Sequence, residues 1–325
     1  MLALWDTTGT EVVKKLAAER RNAGGVASGL ALTLVVIVDE ARVRQVEDAA
    51  TIAASAHPYR LLVVSRGPVP GPDAATANAK DRLDAEIIVG GRLGPTEAVI
   101  MRMHGRLALH AESVIMPLLA PDVPVVTWWH GPPPEKLGYD PLGVVAERRV
   151  TDIAQCFDPA TSLLQRAADY APGDTDLSWT RLTGWRSLIA GAFDTGGATA
   201  MRANVTGSLQ DPATILLRGW LTDRLGIDVT LTEAKALSGV DFQLDDGGVL
   251  SLTSRHDGTA VLHRSGVNDR ILPLVKRRLG EELAEELRRL DPDQPYSSAL
   301  GAATGVEGLE ERSPSRTHIW VDPAK

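Results

Sequence analysis

The sequence predicts an α/β fold: an N-terminal, mostly parallel sheet with packed helices, a helical linker, then a smaller α+β domain with antiparallel strands. Three observations carry this expectation. Apolar, β-branched runs of strand length (LALTLVVIVD at 30–39, YRLLVVSRG at 59–67) flank a segment of helical spacing, ARVRQVEDAATIAASAH at 41–57, and that alternation builds a parallel sheet covered by helices. Residues 159–194 have helical spacing, broken at YAPGDTD. Residues 229–266 instead alternate apolar with polar positions between turn residues, the pattern of antiparallel strands.

Each element follows from local chemistry. Residues 7–21 form an opening helix: Thr7 to Thr10 offer caps, Val12, Val13, Leu16 and Ala17 make the apolar stripe, and Asn22, Gly24 and Gly25 end it. The stretch 67–81 is a loop by composition. DAEIIVGG (84–91) and EAVIMRM (97–103) are two strands around a tight hairpin or an irregular turn, which adds antiparallel character. LALHAESVIMPLLAPD (107–122) reads as a helix leading into the strand PDVPVVTWWHG (121–131), which stops at Pro132, Pro133 and Pro134. AMRANVTGSL (200–209) is a strand. Asp211, Pro212 and Gly226 punctuate a helix at the N-cap, the first turn and beyond the last turn. Asp245-Asp246-Gly247-Gly248 marks a hairpin. In LGEELAEELRRLD (279–291) the leucines share one face and the acids precede the arginines, in agreement with the helix dipole. The expected organisation is an α/β domain over 1–155, a helical connector over 156–198, an α+β domain over 199–304 and a loose tail over 305–325.

Composition narrows the function. With 34 basic against 42 acidic residues the net charge is −8, which argues against nucleic acid or an anionic membrane as the main partner. No stretch approaches the roughly 18 apolar residues of a membrane helix. The first residues lack the basic start and apolar run of a secretory signal, so a cytoplasmic location is expected. Cys156 is the single cysteine; it can close no internal disulfide and is read as a small core residue.

A search for catalytic constellations returns none. There is no G-x-x-x-x-G-K-[ST] loop and no G-x-S-x-G elbow. The glycines of GGVASG (24–29) precede the first strand instead of following it, and GGRLG (90–94) lacks dinucleotide spacing. No two of the seven histidines form a helical metal pair. No catalytic residue, metal or cofactor is therefore assigned.

Seven tryptophans against three phenylalanines and four tyrosines are unusual. Trp128 and Trp129 sit side by side at a strand end, where neighbouring side chains point to opposite faces, so at least one is expected outside the sheet core. In GDTDLSWTRLTGWRSLI (173–189), Asp174 caps the following helix and Asp176 occupies its first turn. On the helical wheel Leu182, Trp185, Ile189 and Phe193 share the core face. Trp179 and Arg186 lie together on one flank, and Arg181 lies on the other. Two readings stay open for Trp179 and Arg186: a binding surface, or an indole lid over the core with the guanidinium stacked on it.

APDVPVVTWWHG, DPLGVVAERRVTD (140–152), GDTDLSWTRLTGWRSLI and LRRLDPDQPYSSAL (287–300) resemble, in order, the OpcA family of glucose-6-phosphate dehydrogenase assembly proteins. The similarity runs to about residue 300. The resemblance implies a non-catalytic partner of glucose-6-phosphate dehydrogenase that promotes its assembly or raises its activity in the oxidative pentose phosphate pathway. Trp128, Trp129, Trp179, Arg181 and Arg186 are the expected contact residues. A rival reading is a sugar-phosphate or nucleotide enzyme or sensor that uses Arg66, Arg92, Arg102 and His130 at the carboxyl ends of the strands; a third is a self-associating scaffold.

Overall fold

A computed structural model describes residues 1–23, 30–55, 58–67, 80–90, 97–194 and 197–319. The chain forms two compact units. The first holds Met1–Thr151, Arg278–Asp291 and the segment from Ser315; the second holds Asp152–Arg277 and Pro292–Pro314.

The first unit opens with β1 (Leu2–Leu4) and α1 (Gly9–Asn22), whose N-cap Thr8 accepts the Glu11 N–H. Then come β2 (Leu32–Val38), α2 (Val43–Ala54), β3 (Tyr59–Arg66), β4 (Arg82–Val89) and β5 (Glu97–His104). The helix expected over 107–122 is broken into α3 (Arg106–Leu109), α4 (Ala111–Ile115) and a 3₁₀ turn, Met116–Leu118, that carries Pro117. His110 interrupts it with non-helical ψ 44. The tryptophan-bearing strand is β6 (Val125–His130), followed by α5 (Pro141–Val144) and β7 (Arg148–Thr151). Within this unit the strands lie in the order β1-β4-β5-β3-β2-β6-β7. The pairs β5–β3, β3–β2, β2–β6 and β6–β7 are parallel, while β4 runs antiparallel to β5 and β1. The sheet is thus mostly parallel, with the expected antiparallel character where β4 pairs with β5; their connection lies outside the described residues.

Glu97 anchors this sheet's interior. Only 3% exposed, it accepts from Arg60 Nε and, at 2.6 and 2.7 Å, from Arg20, while Arg60 Nη1 donates to the Leu118 carbonyl. A buried carboxylate between two guanidiniums is tolerable because its lone pairs are satisfied.

The second unit contains α6 (Pro159–Asp169), β8 (Asp174–Asp176), α7 (Leu177–Arg181), α8 (Thr183–Asp194), β9 (Ala200–Gly207) and α9 (Pro212–Leu225). The strands β10 (Val229–Glu233), β11 (Gly239–Leu244), β12 (Val249–Ser254), β13 (Thr259–Arg264) and β14 (Val267–Pro273) follow. They make a six-stranded sheet in the order β10-β9-β11-β12-β13-β14. All its pairings are antiparallel except one. β10, expected to be antiparallel, runs parallel to β9, because α9 carries the chain back to the starting end of the sheet between them. The core of the unit lies between one sheet face and the helices: Trp179, Leu182, Trp185 and Ile189 from α7–α8 join Val205, Leu216, Val240 and Phe242. The segment expected as a connector is therefore part of a domain core.

The chain then returns to the first unit. α10 (Leu279–Glu286) packs on α2 so closely that a Cβ on Gly280 would lie 2.6 Å from Ile52 Cβ. Arg148 holds it from below, donating to Glu286 (2.6 Å) and to the Asp291 carbonyl (2.9 Å). α11 (Gln294–Thr304) belongs to the second unit and packs on α9 at Gly219, where a Cβ would meet the Ala299 carbonyl at 2.2 Å. The following residues are tied down instead of trailing loosely: Leu309 is 3% exposed, and Arg312 Nη1 donates to the carbonyls of Ala167, Ala168 and Tyr170.

Candidate functional site

The strand tip of the first unit is fixed by register. Trp128 and Trp129 lie opposite Val36 and Ile37 of β2, one on each sheet face. Both are buried, at 0% and 2% exposure, so the expectation that one would leave the sheet core is corrected. The reason is the cover supplied after the strand. The 3₁₀ turn Leu137–Tyr139 and α5 fold over Trp129, and Gly143 comes so near that a Cβ there would lie 3.1 Å from its ring. Trp129 Nε1 donates to Asp140 Oδ2 at 3.4 Å. On the other face Trp128 packs against His130, ring centroids 4.9 Å apart.

The cationic groups of the rival reading are engaged by acids of their own unit. Arg66 pairs with Asp140 at 3.0 Å, and Arg102 pairs with Glu86 at 2.7 Å and Glu40 at 3.4 Å. His130 Nε2 lies 3.1 Å from Gln45 Oε1. Arg92, the whole GGVASG run and all of GGRLG but Gly90 fall outside the described residues.

In the second unit the motif GDTDLSWTRLTGWR is a web of internal contacts. Asp176 is itself the N-cap of α7, with extended backbone. Its Oδ1 accepts the Ser178 N–H at 2.8 Å and its Oδ2 accepts the Ile153 N–H at 3.0 Å. Asp174 turns the other way, accepting the Ala171 N–H at 2.9 Å. The capping role expected of Asp174 thus falls to Asp176, because residues 174–176 are a short strand and the helix starts later. The expected single helix over 176–194 is also divided at Leu182, where Thr183 Oγ1 turns back to donate to the Thr180 carbonyl at 2.8 Å.

Trp179 is 1% exposed. Its indole N–H donates to Asp293 Oδ2 at 2.9 Å, and its ring sits 5.9 Å from that of Tyr296. The Arg186 guanidinium carbon lies 3.6 Å above the indole centroid, close enough for a strong cation–π contact. Of the two readings left open, the geometry is that of the lid with its stacked guanidinium. Arg181 forms a two-pronged ion pair with Asp152 at 2.7 and 2.9 Å; Asp152 is fully buried while the arginine side chain keeps 28% of its exposure. Burial pushes the Tyr170 hydroxyl up to about 12, and burial, helped by Asp176 and Asp174, also holds that of Tyr296 well above its ordinary value. The Cys156 thiol is also raised by burial, the opposite of an activated nucleophile.

Sequence reading missed the distant partners Asp152, Asp293 and Tyr296. Asp293 carried a signal: Asp-Gln-Pro places a capping residue two before a proline, and Asp293 does cap α11. Among the described residues no group of three or more His, Cys, Asp and Glu could hold a metal ion, and no helix is long and apolar enough to cross a membrane.

Residues 50–168 match the model of the glucose-6-phosphate dehydrogenase subunit N-terminal domain, and residues 172–300 match that of its C-terminal domain. The two models are consecutive parts of one family and together take in well over half the chain. The chain belongs to the OpcA family. A curated OpcA relative, the putative OxPP cycle protein OpcA of Synechococcus elongatus, is 31% identical over 123 residues, a match covering 35% of this chain and 28% of the relative. The matched stretch thus spans less than a third of that relative's length. Among solved structures, a 3-ketoreductase from Actinomadura kijaniata aligns with TM-score 0.45 and 12% identity over 89% of this chain and 99% of the other. An oxidoreductase from Sinorhizobium meliloti aligns with TM-score 0.39 and 9% identity over 83% and 86%. Likenesses this weak say nothing about what an OpcA chain does.

Proposed function

We propose that this chain is a non-catalytic, cytoplasmic partner of glucose-6-phosphate dehydrogenase that promotes the enzyme's assembly or raises its activity in the oxidative pentose phosphate pathway. The observation that supports this most is the pair of family matches, both to domains described as subunits of that dehydrogenase. The site is in keeping with it: charged side chains of the motif are engaged by backbone N–H groups, by Asp152 and by the Trp179 ring, a pattern of scaffolding more than of proton transfer.

Within the motif, Arg181 and Arg186 keep part of their surface and are the proposed contacts. Trp179 acts beneath them as the plate that fixes Arg186. Trp128 and Trp129, buried in the free chain, contribute to the dehydrogenase-facing surface by holding the strand tip and its cover in place. Activation works by linkage: a partner that binds the assembled, active state better than other states raises its population. A tenfold shift requires about 1.4 kcal/mol of differential binding.

The test is to mix the purified chain with the dehydrogenase of the same organism and follow mass and reaction rate together. Co-elution with a changed rate is expected. Two independent peaks and an unaltered rate at micromolar concentrations would end this reading.

A further inference from the structure

The six-stranded sheet of the second unit buries one face against helices and leaves the other open. A pocket of about 780 Å3 lies on it, within the range of small-molecule sites, roughly 300–1,000 Å3. Its side chains come from neighbouring strands, so register fixes their places. Arg202 lies opposite Gln243, which lies opposite Val249; one step along, Thr230 lies opposite Asn204, which lies opposite Asp241. Met201 and Asp228 complete the rim.

The chemistry of this lining is specific in what it offers and lacks. Arg202 and Asp241, of opposite charge, sit on adjacent strands two residues out of register, and neither has an ion-pair partner among the described residues. Asn204 is oriented in advance: its Oδ1 accepts from Thr230 Oγ1 at 2.9 Å and from Thr232 Oγ1 at 3.0 Å. Gln243 adds a second amide, able both to donate and to accept. The only ring among the lining residues, Phe242, points into the core, edge-on to Phe193 at 5.0 Å. Met201 and Val249 give the pocket an apolar edge, but no ring faces it on which a nucleotide base could stack.

A guanidinium, a carboxylate, two amides and a threonine hydroxyl on rigid strands match a compact polyol with one anionic group. We infer that the open sheet face around Arg202 and Asp241 is a binding site for a sugar phosphate or sugar acid, with Arg202 on the anionic group and Asp241, Asn204 and Gln243 on hydroxyls. The lining is wholly within 201–249, apart from the motif at 173–186, and the inference does not depend on the dehydrogenase reading.

The test is thermal shift on the full-length chain alone, with glucose 6-phosphate, glucose and inorganic phosphate as separate probes at millimolar concentration. The sugar phosphate is expected to raise Tm by about 3 °C or more, and glucose or phosphate alone by less. Arg202→Ala should abolish the shift and Asp241→Asn should reduce it. Both residues are exposed on the open face, so the variants keep the parent's unliganded Tm. No shift with the sugar phosphate overturns the inference, as does a shift that survives Arg202→Ala. Phosphate acting as strongly as the sugar phosphate overturns the polyol assignment. Because the dehydrogenase is absent from this experiment, its failure leaves the partner reading to be judged by co-elution.

Discussion

Trp179→Phe separates a structural role for the motif from direct contact. The change keeps an aromatic plate but deletes the indole N–H that donates to Asp293 at 2.9 Å and narrows the surface under Arg186. A hydrogen bond to a charged acceptor contributes about 1.5–3 kcal/mol, and the weaker stacking costs about 0.5–1 kcal/mol more. The sum, roughly 2–4 kcal/mol, lowers the melting temperature by on the order of 5–15 °C for a domain of this size. Circular dichroism melts of the parent, Trp179→Phe, Arg186→Ala and the double variant close a cycle, in which the stacked pair should show about 0.5–2 kcal/mol of coupling. Dehydrogenase binding is then measured well below the lowest melting temperature. The expected pattern is a large stability loss in Trp179→Phe with binding largely retained, against weakened binding in Arg186→Ala. An unchanged melt together with abolished binding would refute the reasoning, since the indole would then act at the interface and not beneath it.

Asp176→Asn removes the carboxylate that serves both Ser178 and Ile153; a loss of about 1–3 kcal/mol is expected by urea denaturation. In the first unit, Glu97→Gln leaves the buried Arg60 guanidinium without its counter-charge and removes the partner of the part-exposed Arg20, and should cost about 3–5 kcal/mol by the same measurement. Gly280→Ala forces α10 away from Ile52 and should lower stability by about 1–3 kcal/mol, while Gly191→Ala, with open space around it, serves as the control. The tyrosines give a pH dependence. Each is neutral when protonated, and its folded pKa lies above the ordinary value of 10. Their stabilisation is therefore whole below pH 10 and declines as pH rises toward the folded value, about 12 for Tyr170, at up to roughly 1.4 kcal/mol per pH unit for each group. Tyr170→Phe should flatten the alkaline limb of a denaturation-midpoint profile; an unaltered limb would show that this hydroxyl is not responsible.

The parts of the fold legible in the sequence are those whose signal is local. β2, β3 and β6 announce themselves as short branched runs, and α9 by its Asp-Pro start and its Gly226 stop. The Trp179–Arg186 stack was within reach for the same reason: seven residues are two helical turns, so the wheel brings the pair together even though the helix divides at Leu182. What was illegible depends on distant partners. β7 is spelled Arg-Arg-Val-Thr, with no apolar run to announce a buried strand, yet Arg148 and Arg149 are 3% and 1% exposed, and Arg148 is made tolerable by Glu286, which lies 138 residues on. The burial of Trp129 depends on the proline-rich segment after the strand, which composition marks only as a loop. The direction of β10 is set by α9 and not by its own alternation. Asp293 lies 114 residues from the indole it anchors.

The return of α10 to the first unit has a consequence for how the molecule is made. A ribosome that has emitted residues 1–151 has not yet supplied the helix that covers Ala49 and Ile52 on α2, nor the carboxylate that neutralises Arg148. The N-terminal half must wait, incompletely closed, until the whole second sheet has been synthesised, and a gene cut at residue 151 encodes a polypeptide with that flank bare.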